Sequence, residues 1–253
     1  MKKLIQKWII RLTATFVLMA VLLVVIVLNP ALTYASKTRH NNFTIFHNQP
    51  LDPALILHLR QATQWVSNSE YYDPHWNIDI CLNDGSRYPS FVEKTGGPAF
   101  GRGFYNKVVL MGAADYKGNS VMLNGYRWNL QQLLAHEMIH CFQLHQRGVW
   151  KSKPLASIPD WKWEGYAEWV SRRTVDQADL RQNTERLLQA EKTAHDGWIQ
   201  FSDGTGSPVL YYKYRLLVQY CMEIRKMKYD EVLDSEAPQE VVWEQLMNWF
   251  DKQ

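Results

Sequence analysis

Cysteine is scarce in this chain. Three of 253 residues (Cys81, Cys141, Cys221) exclude a disulfide-dense secreted scaffold, and no two lie close enough in sequence to suggest a thiolate metal site. An exported domain could still pair two of them and leave one buried. Charge of one sign is scarce as well. The formal charge is +3, part of it sits at the extreme N-terminus (Lys2, Lys3, Lys7, Arg11), and it gives no case for a nucleic-acid partner. Internal repeats and low-complexity tracts are absent. An apolar fraction of 46% and a charged fraction of 21% exclude a disordered chain, and the length allows one domain with a real core. Tryptophan, in contrast, is abundant at 11 residues, which points to large buried aromatics or an aromatic-lined cleft.

One long apolar run is present. LTATFVLMAVLLVVIVL, Leu12 to Leu28, contains no charge and no polar face. As a helix it spans roughly 25 Å, slightly short of a bilayer core, and Trp8–Ile10 extend it if Arg11 snorkels. The other reading is a cleaved signal peptide, with the small residues of Thr33-Tyr34-Ala35 at the cleavage site. Residues 1–35 are therefore an N-terminal membrane anchor or signal peptide. A polar stretch, 36–50, reads as a linker, and 51–253 as the folded domain. The positive flank stays inside, so the domain is expected outside the cytoplasm, either on a single-pass membrane protein or, after signal cleavage, secreted or periplasmic.

Within the domain, residues 53–67 have helical spacing at Leu55, Leu59, Ala62 and Val66, and WNIDICL (76–82) alternates as a strand. A glycine-rich stretch, TGGPAFGRG, precedes two further strands in 104–112 and 120–125. Asn129 followed by Gln132 is a capping-box pattern that opens a helix, which should run to about Gln146 and stop near Gly148. Asp160 is positioned to cap a second helix, and helices follow over 176–195, 209–226 and 240–246. Strands mixed with helices first, then helices only, predict an α+β fold.

The first of these helices reads LQQLLAHEMIHCFQLH from residue 130. His136 and His140 are four residues apart, about 40° around a helix, so both imidazoles face one way and one divalent ion can take both. Glu137 is turned by roughly 100° from His136; it does not ligate comfortably but reaches a water bound there. The competing reading is a pair of core histidines with satisfied hydrogen bonds. A catalytic zinc needs a third protein ligand and one open position. His145 faces away around the helix, and His195 is distant in a polar stretch. Glu164, in Trp163-Glu164-Gly165-Tyr166-Ala167-Glu168-Trp169, is the third candidate, with Glu168 one turn on and on the same face. Glu164 would ligate, and Glu168 would accept the free N–H of a ligand histidine. Otherwise both are solvated glutamates on an amphipathic helix.

HEMIH, followed 24 residues after its second histidine by WEGYAEW, resembles the gluzincin metallopeptidases, the group of thermolysin and the membrane alanyl aminopeptidases. The resemblance implies a zincin-like domain: a small twisted sheet, a metal-bearing helix, then a helical C-terminal part. It implies zinc on His136, His140 and Glu164, Glu137 as general base and Glu168 behind a ligand. Where the aminopeptidases usually have asparagine before the glutamate, this chain has Trp163. Their glycine–alanine–methionine–glutamate–asparagine motif has no counterpart here. Tyr211-Tyr212-Lys213 resembles their tyrosine-x-lysine run, which makes Tyr211 the expected oxyanion donor, with Tyr212, Tyr214 and Tyr166 as neighbours to consider. By analogy with zincin folds, SVMLNG or VVLMG would offer an open strand edge to an extended peptide. The expected activity is zinc-dependent hydrolysis of peptide bonds in a peptide or protein substrate. The alternative is a non-catalytic envelope binding or assembly protein on the same scaffold.

Overall fold

The apolar run folds as one helix, α1 (Lys2–Leu28), long and apolar enough to cross a membrane, in the computed structural model, which describes residues 2–252. From Gln6 to Val25 every side chain of α1 is exposed, among them Phe16 at 74% and Leu18 at 69%. Such a surface is unstable in water and at ease in hydrocarbon.

The stretch expected as a linker, 36–50, is a correction. It folds as β1 (Ser36–His40) and β2 (Phe43–His47), an antiparallel hairpin turning at Asn41, whose φ is 51°. Its polar look comes from β1, which lies at the sheet edge and is mostly exposed; β2 is buried at four of its five positions. After α2 (Pro53–Val66), which Asp52 caps, β3 (Ile78–Cys81) lies parallel to β2. The sequence reading passed over α3 (Tyr88–Gly96) and β4 (Gly101–Phe104), both inside or beside the glycine-rich stretch. With β5 (Lys107–Leu110) they complete a five-stranded sheet of order β1-β2-β3-β5-β4.

Register explains how this sheet is covered. Ile45, Ile80, Val108 and Gly103 form one row across it, and Phe46, Cys81, Val109 and Arg102 the adjacent row, on the other face. The first row joins the main core, together with Leu55 and Leu59 of α2. The second joins a smaller cluster with Tyr34, Tyr88 and Val92. A meander follows, β6 (Ala113–Asp115), β7 (Ser120–Leu123) and β8 (Tyr126–Asn129). It feeds the central helix α4 (Leu130–Arg147), which runs from the Asn129 cap to Gly148, as its end signals predict.

Beyond a loop come α5 (Asp160–Ser171), α6 (Leu180–Thr193), the two-stranded β9 (Trp198–Gln200) and β10 (Gly206–Pro208), and α7 (Val209–Gln219). α7 widens into a π-helical turn over Tyr220–Ile224, and α8 (Tyr229–Asp234) and α9 (Gln239–Phe250) close the chain. Asp160 does not cap α5. Pro159 occupies that position, and Asp160 pairs with Lys153 instead. α5 packs hard on α7, because a Cβ on Gly165 would collide with the Tyr214 carbonyl. The three cysteines are all buried and free. Among the described residues the architecture is mixed α+β with small sheets, one apolar N-terminal helix and a largely helical second half.

Candidate metal centre

α4 is buried along most of its length, including His136, Glu137 and His140. The predicted spacing holds: both imidazoles leave the same face, and their Nε2 atoms stand 3.0 Å apart. Glu164, on the first turns of α5, brings its Oε2 to 3.3 Å from His136 Nε2 and 3.2 Å from His140 Nε2. These three groups form a cluster close enough to hold a metal ion.

Their hydrogen bonds show what kind of atom belongs among them. Gln143, one turn beyond His140 and fully buried, donates its amide N–H to the Trp163 carbonyl at 3.1 Å and to the Tyr229 hydroxyl at 2.6 Å. A carbonyl only accepts, so the orientation of this amide is set and its Oε1 faces His140 Nδ1 at 2.8 Å. The Nδ1 of His140 therefore carries the hydrogen, and its Nε2 keeps a lone pair. On His136, Nδ1 lies 3.1 Å from Glu168 Oε1; the contact is bent, but neither atom has another partner. Three lone pairs then converge: two imidazole nitrogens and a carboxylate oxygen. They repel one another unless a cation, a proton or a metal ion, lies among them. This donor set is that of a divalent transition-metal site with three protein ligands.

Electrostatics agree. Burial alone would push the His136 imidazolium down, but Glu164 and Glu168 outweigh it and raise it from 6.5 to about 10. Glu164 is half-buried, and its loss of solvent favours the neutral form, yet the two histidines hold its carboxyl well below the usual range. Glu168 is likewise kept ionised, against burial, by Arg172 and His136. Arg172 Nε donates to Glu168 Oε2, and its Nη1 donates to Gln132 Oε1 at 2.7 Å. Gln132 thus accepts from Asn129 no reciprocal capping bond; only the forward half of the predicted box forms, from Gln132 N to Asn129 Oδ1.

A cleft of about 530 Å³ opens over the cluster, lined by Glu137, His136, His140, Glu164, Tyr211 and Pro98–Phe104, with Trp128, Trp198 and Lys153 around them. Glu137 is beside the cluster but outside the ligand set, as its position on the helix requires. The Tyr211 phenol is pushed far up, first by burial and then by Glu164, Glu168 and Glu137, so it stays protonated and able to donate. The other tyrosines considered point elsewhere. Tyr212 is buried against Asn183 and Arg186, Tyr166 bonds Ser69 and stacks on Tyr229, and Tyr214 lies outside the cleft. His145 stacks on Trp76 and pairs with Asp73, and His195 lies in a separate groove.

The strand beside the cluster is another correction. β5 is flanked by β3 and β4, and β7 by β6 and β8, so neither VVLMG nor SVMLNG has a free edge. The edge strand of the cleft is β4, Gly101-Arg102-Gly103-Phe104. It lies flat on α4 because Gly103 has no side chain: a Cβ there would strike the Glu137 carbonyl and reach 3.0 Å from the His140 Cβ. Sequence reasoning missed Gly103, Gln143, Arg172 and Tyr229. Two left a local signal. Gln143 is three residues from His140, and Arg172 is four from Glu168, both facing distances on a helix. Gly103 and Tyr229 act through contacts distant in sequence and left none.

No protein-family model matches the chain, and no curated protein matches it.

Proposed function

We propose that the chain is a zinc-dependent peptidase of zincin-like architecture, anchored by α1 with its domain outside the cytoplasm. The observation behind this reading is the convergence of three cation-seeking atoms from α4 and α5 at the floor of a cleft that also contains a carboxylate, Glu137, and a protonated phenol, Tyr211. His136, His140 and Glu164 would hold the metal. A bound zinc supplies a Lewis-acidic centre and a water of lowered pKa. The residues do the rest. Glu168 and Gln143 aim the two imidazoles and fix their tautomers. Glu137 takes the proton of the attacking water on its carboxylate and passes it to the leaving amine. Tyr211 donates its phenolic hydrogen to the oxygen on which charge develops. β4 pairs with an extended substrate along its free edge, so the reactant is a peptide or protein. The basic residues in the first turns of α1, ahead of its apolar run, support the outward placement of the domain.

Glu137→Gln tests this. It should retain the metal of the wild type and lose peptide hydrolysis by about 10²–10⁴-fold. Activity near the wild-type level would overturn the base assignment. Purified protein that holds no transition metal, and takes up none on dialysis against zinc, would favour the binding or assembly alternative.

A further inference from the structure

The segment joining α1 to the domain is no tether. α1 ends at Leu28, a tight 3-10 turn occupies Pro30–Leu32, and β1 begins at Ser36. This short connection is fastened to the domain at several points along its length. The Tyr88 hydroxyl donates to the Val27 carbonyl at 2.5 Å, while α1 is still helical. Ser86 Oγ donates to the Thr33 carbonyl at 3.0 Å, and Ala35 N donates to Asn48 Oδ1 at 2.7 Å. Pro30 is buried. Tyr34 is only 9% exposed, its hydroxyl donates to the Leu82 carbonyl at 2.8 Å, and its ring packs on Phe46 and Tyr88. Tyr34 is thus a core residue of the five-stranded sheet. Cleavage after Ala35 would remove it and expose Phe46, Tyr88 and Cys81.

The same contacts lead to the cleft. Tyr88 opens α3, nine residues long, and the carbonyls of Gly96 and Gly97 at its far end receive Arg102 Nη2 from β4. Pro98 onward already lines the cleft. Helix length and one tyrosine side chain put the cleft rim within about 25 Å of the end of α1, a distance that roughly eight extended residues cover.

We infer that α1 is retained and clamped to the domain through Tyr34 and Tyr88, and that the cleft acts on polypeptide segments within about ten residues of the bilayer, in substrates anchored in the same membrane. This substrate class rests on the peptidase reading; the clamp does not. A substrate confined to the same membrane is presented at high effective concentration, and a rigid connection restricts which of its bonds can reach the cleft.

The test uses the full chain in phospholipid vesicles. The mass of the membrane-extracted protein should be that of the chain with residues 1–35 attached, and the hydrogen-bonded backbone amides of Leu32, Thr33 and Ala35 should exchange as slowly as those of β2. A reporter polypeptide with its own transmembrane helix then carries one cleavable sequence at about 10, 20 or 40 residues from the bilayer, alongside the same sequence as a soluble peptide. Cleavage should be fastest at the shortest spacing and at least about tenfold faster there than for the soluble peptide at equal concentration. Inserting a Gly-Ser linker of about 20 residues between Leu28 and Asn29 should leave soluble-peptide cleavage unchanged and flatten the spacing dependence. A product beginning at Ser36, fast exchange of those three amides, or a spacing profile that is flat or untouched by the insertion overturns the inference. Failure to cut either the soluble or the anchored sequence overturns the peptidase reading, and the substrate class with it, while mass and exchange still judge the clamp.

Discussion

Gln143 is the residue on which the geometry of His140 depends, and its removal should separate two effects. Gln143→Leu keeps the volume of the side chain but deletes three hydrogen bonds, to His140 Nδ1, the Trp163 carbonyl and the Tyr229 hydroxyl. Tyr229 retains its bond to the Lys162 carbonyl, and the Trp163 carbonyl keeps its bond within α5, so one buried group is left unsatisfied, the His140 Nδ1–H. At about 1–3 kcal/mol for a buried unsatisfied group, the metal-free protein should lose about 1–3 kcal/mol of stability. With Oε1 gone, nothing fixes the His140 tautomer, and metal affinity should fall about 10–100-fold. Gln143→Glu behaves differently. It still accepts from His140 Nδ1 but has no hydrogen for Trp163, so stability should drop while affinity stays within about threefold of wild type. Denaturant unfolding of the metal-free proteins and chelator-competition titrations measure the two quantities. If Gln143→Leu binds zinc as tightly as the wild type, the amide does not set the tautomer and the orientation argument for this site is wrong.

Three further outcomes follow from the same geometry. The raised His136 value means that the folded metal-free protein keeps a proton that the unfolded chain loses above 6.5; its contribution to stability is full below pH 6.5 and is lost as pH rises through about 10. A metal must displace that proton, so affinity should rise by about tenfold per pH unit inside this window, and a chelator titration that is flat from pH 7 to 9 would contradict it. Tyr211→Phe should leave metal content and melting temperature unchanged and lower kcat by about 10²–10³-fold, read in steady-state kinetics on a peptide substrate. Arg172→Leu leaves the buried Glu168 charge with His136 as its one remaining partner and should cost about 3–5 kcal/mol, whereas Arg172→Leu combined with Glu168→Gln should recover most of that stability in denaturant titrations and still bind metal more weakly than wild type.

What could be read from the sequence was what depends on near neighbours along the chain. The Asn129 cap, the Gly148 stop and the shared face of His136 and His140 are all fixed within one or two helical turns, and α4 has them as expected. Glu164 and Glu168 were legible for the same reason: four residues apart, they serve two histidines that are also four residues apart. Contacts between elements were not legible. Whether a strand has a free edge depends on its neighbours in the sheet, and β4, at only four residues with two glycines, has no alternation to read. β2 was mistaken for linker because its burial depends on other elements: one face is covered by α2 and α4, the other by Tyr34 and α3, and of these only α2 follows it directly in the chain. Gln143 was not legible because its amide has meaning only once the Trp163 carbonyl stands beside it.

The buried polar groups around the cluster cannot be explained by stability. Glu168 and Arg172 are both fully buried, and such a pair contributes little or nothing compared with apolar residues of the same size. Arg172 also leaves its Nη2 without a partner, a further cost that the faces of Trp128 and Phe201, 5.3 and 5.4 Å from the guanidinium, offset in part. What the arrangement achieves is orientation. α5 supplies the carboxylate ligand, the acceptor behind His136 and, through the carbonyls of Lys162 and Trp163, the frame that holds Gln143 and so His140. One helix therefore sets the direction of every donor on the other. Two histidines serving only as core residues would need a hydrogen-bond partner each, not three facing lone pairs kept within 3.3 Å of one another by fixed groups behind them. That concentration of mutually repelling atoms is costly without a proton or a metal ion among them and favourable with one, which is the physical reason this cluster could hold a metal ion in a geometry fixed by the groups behind it.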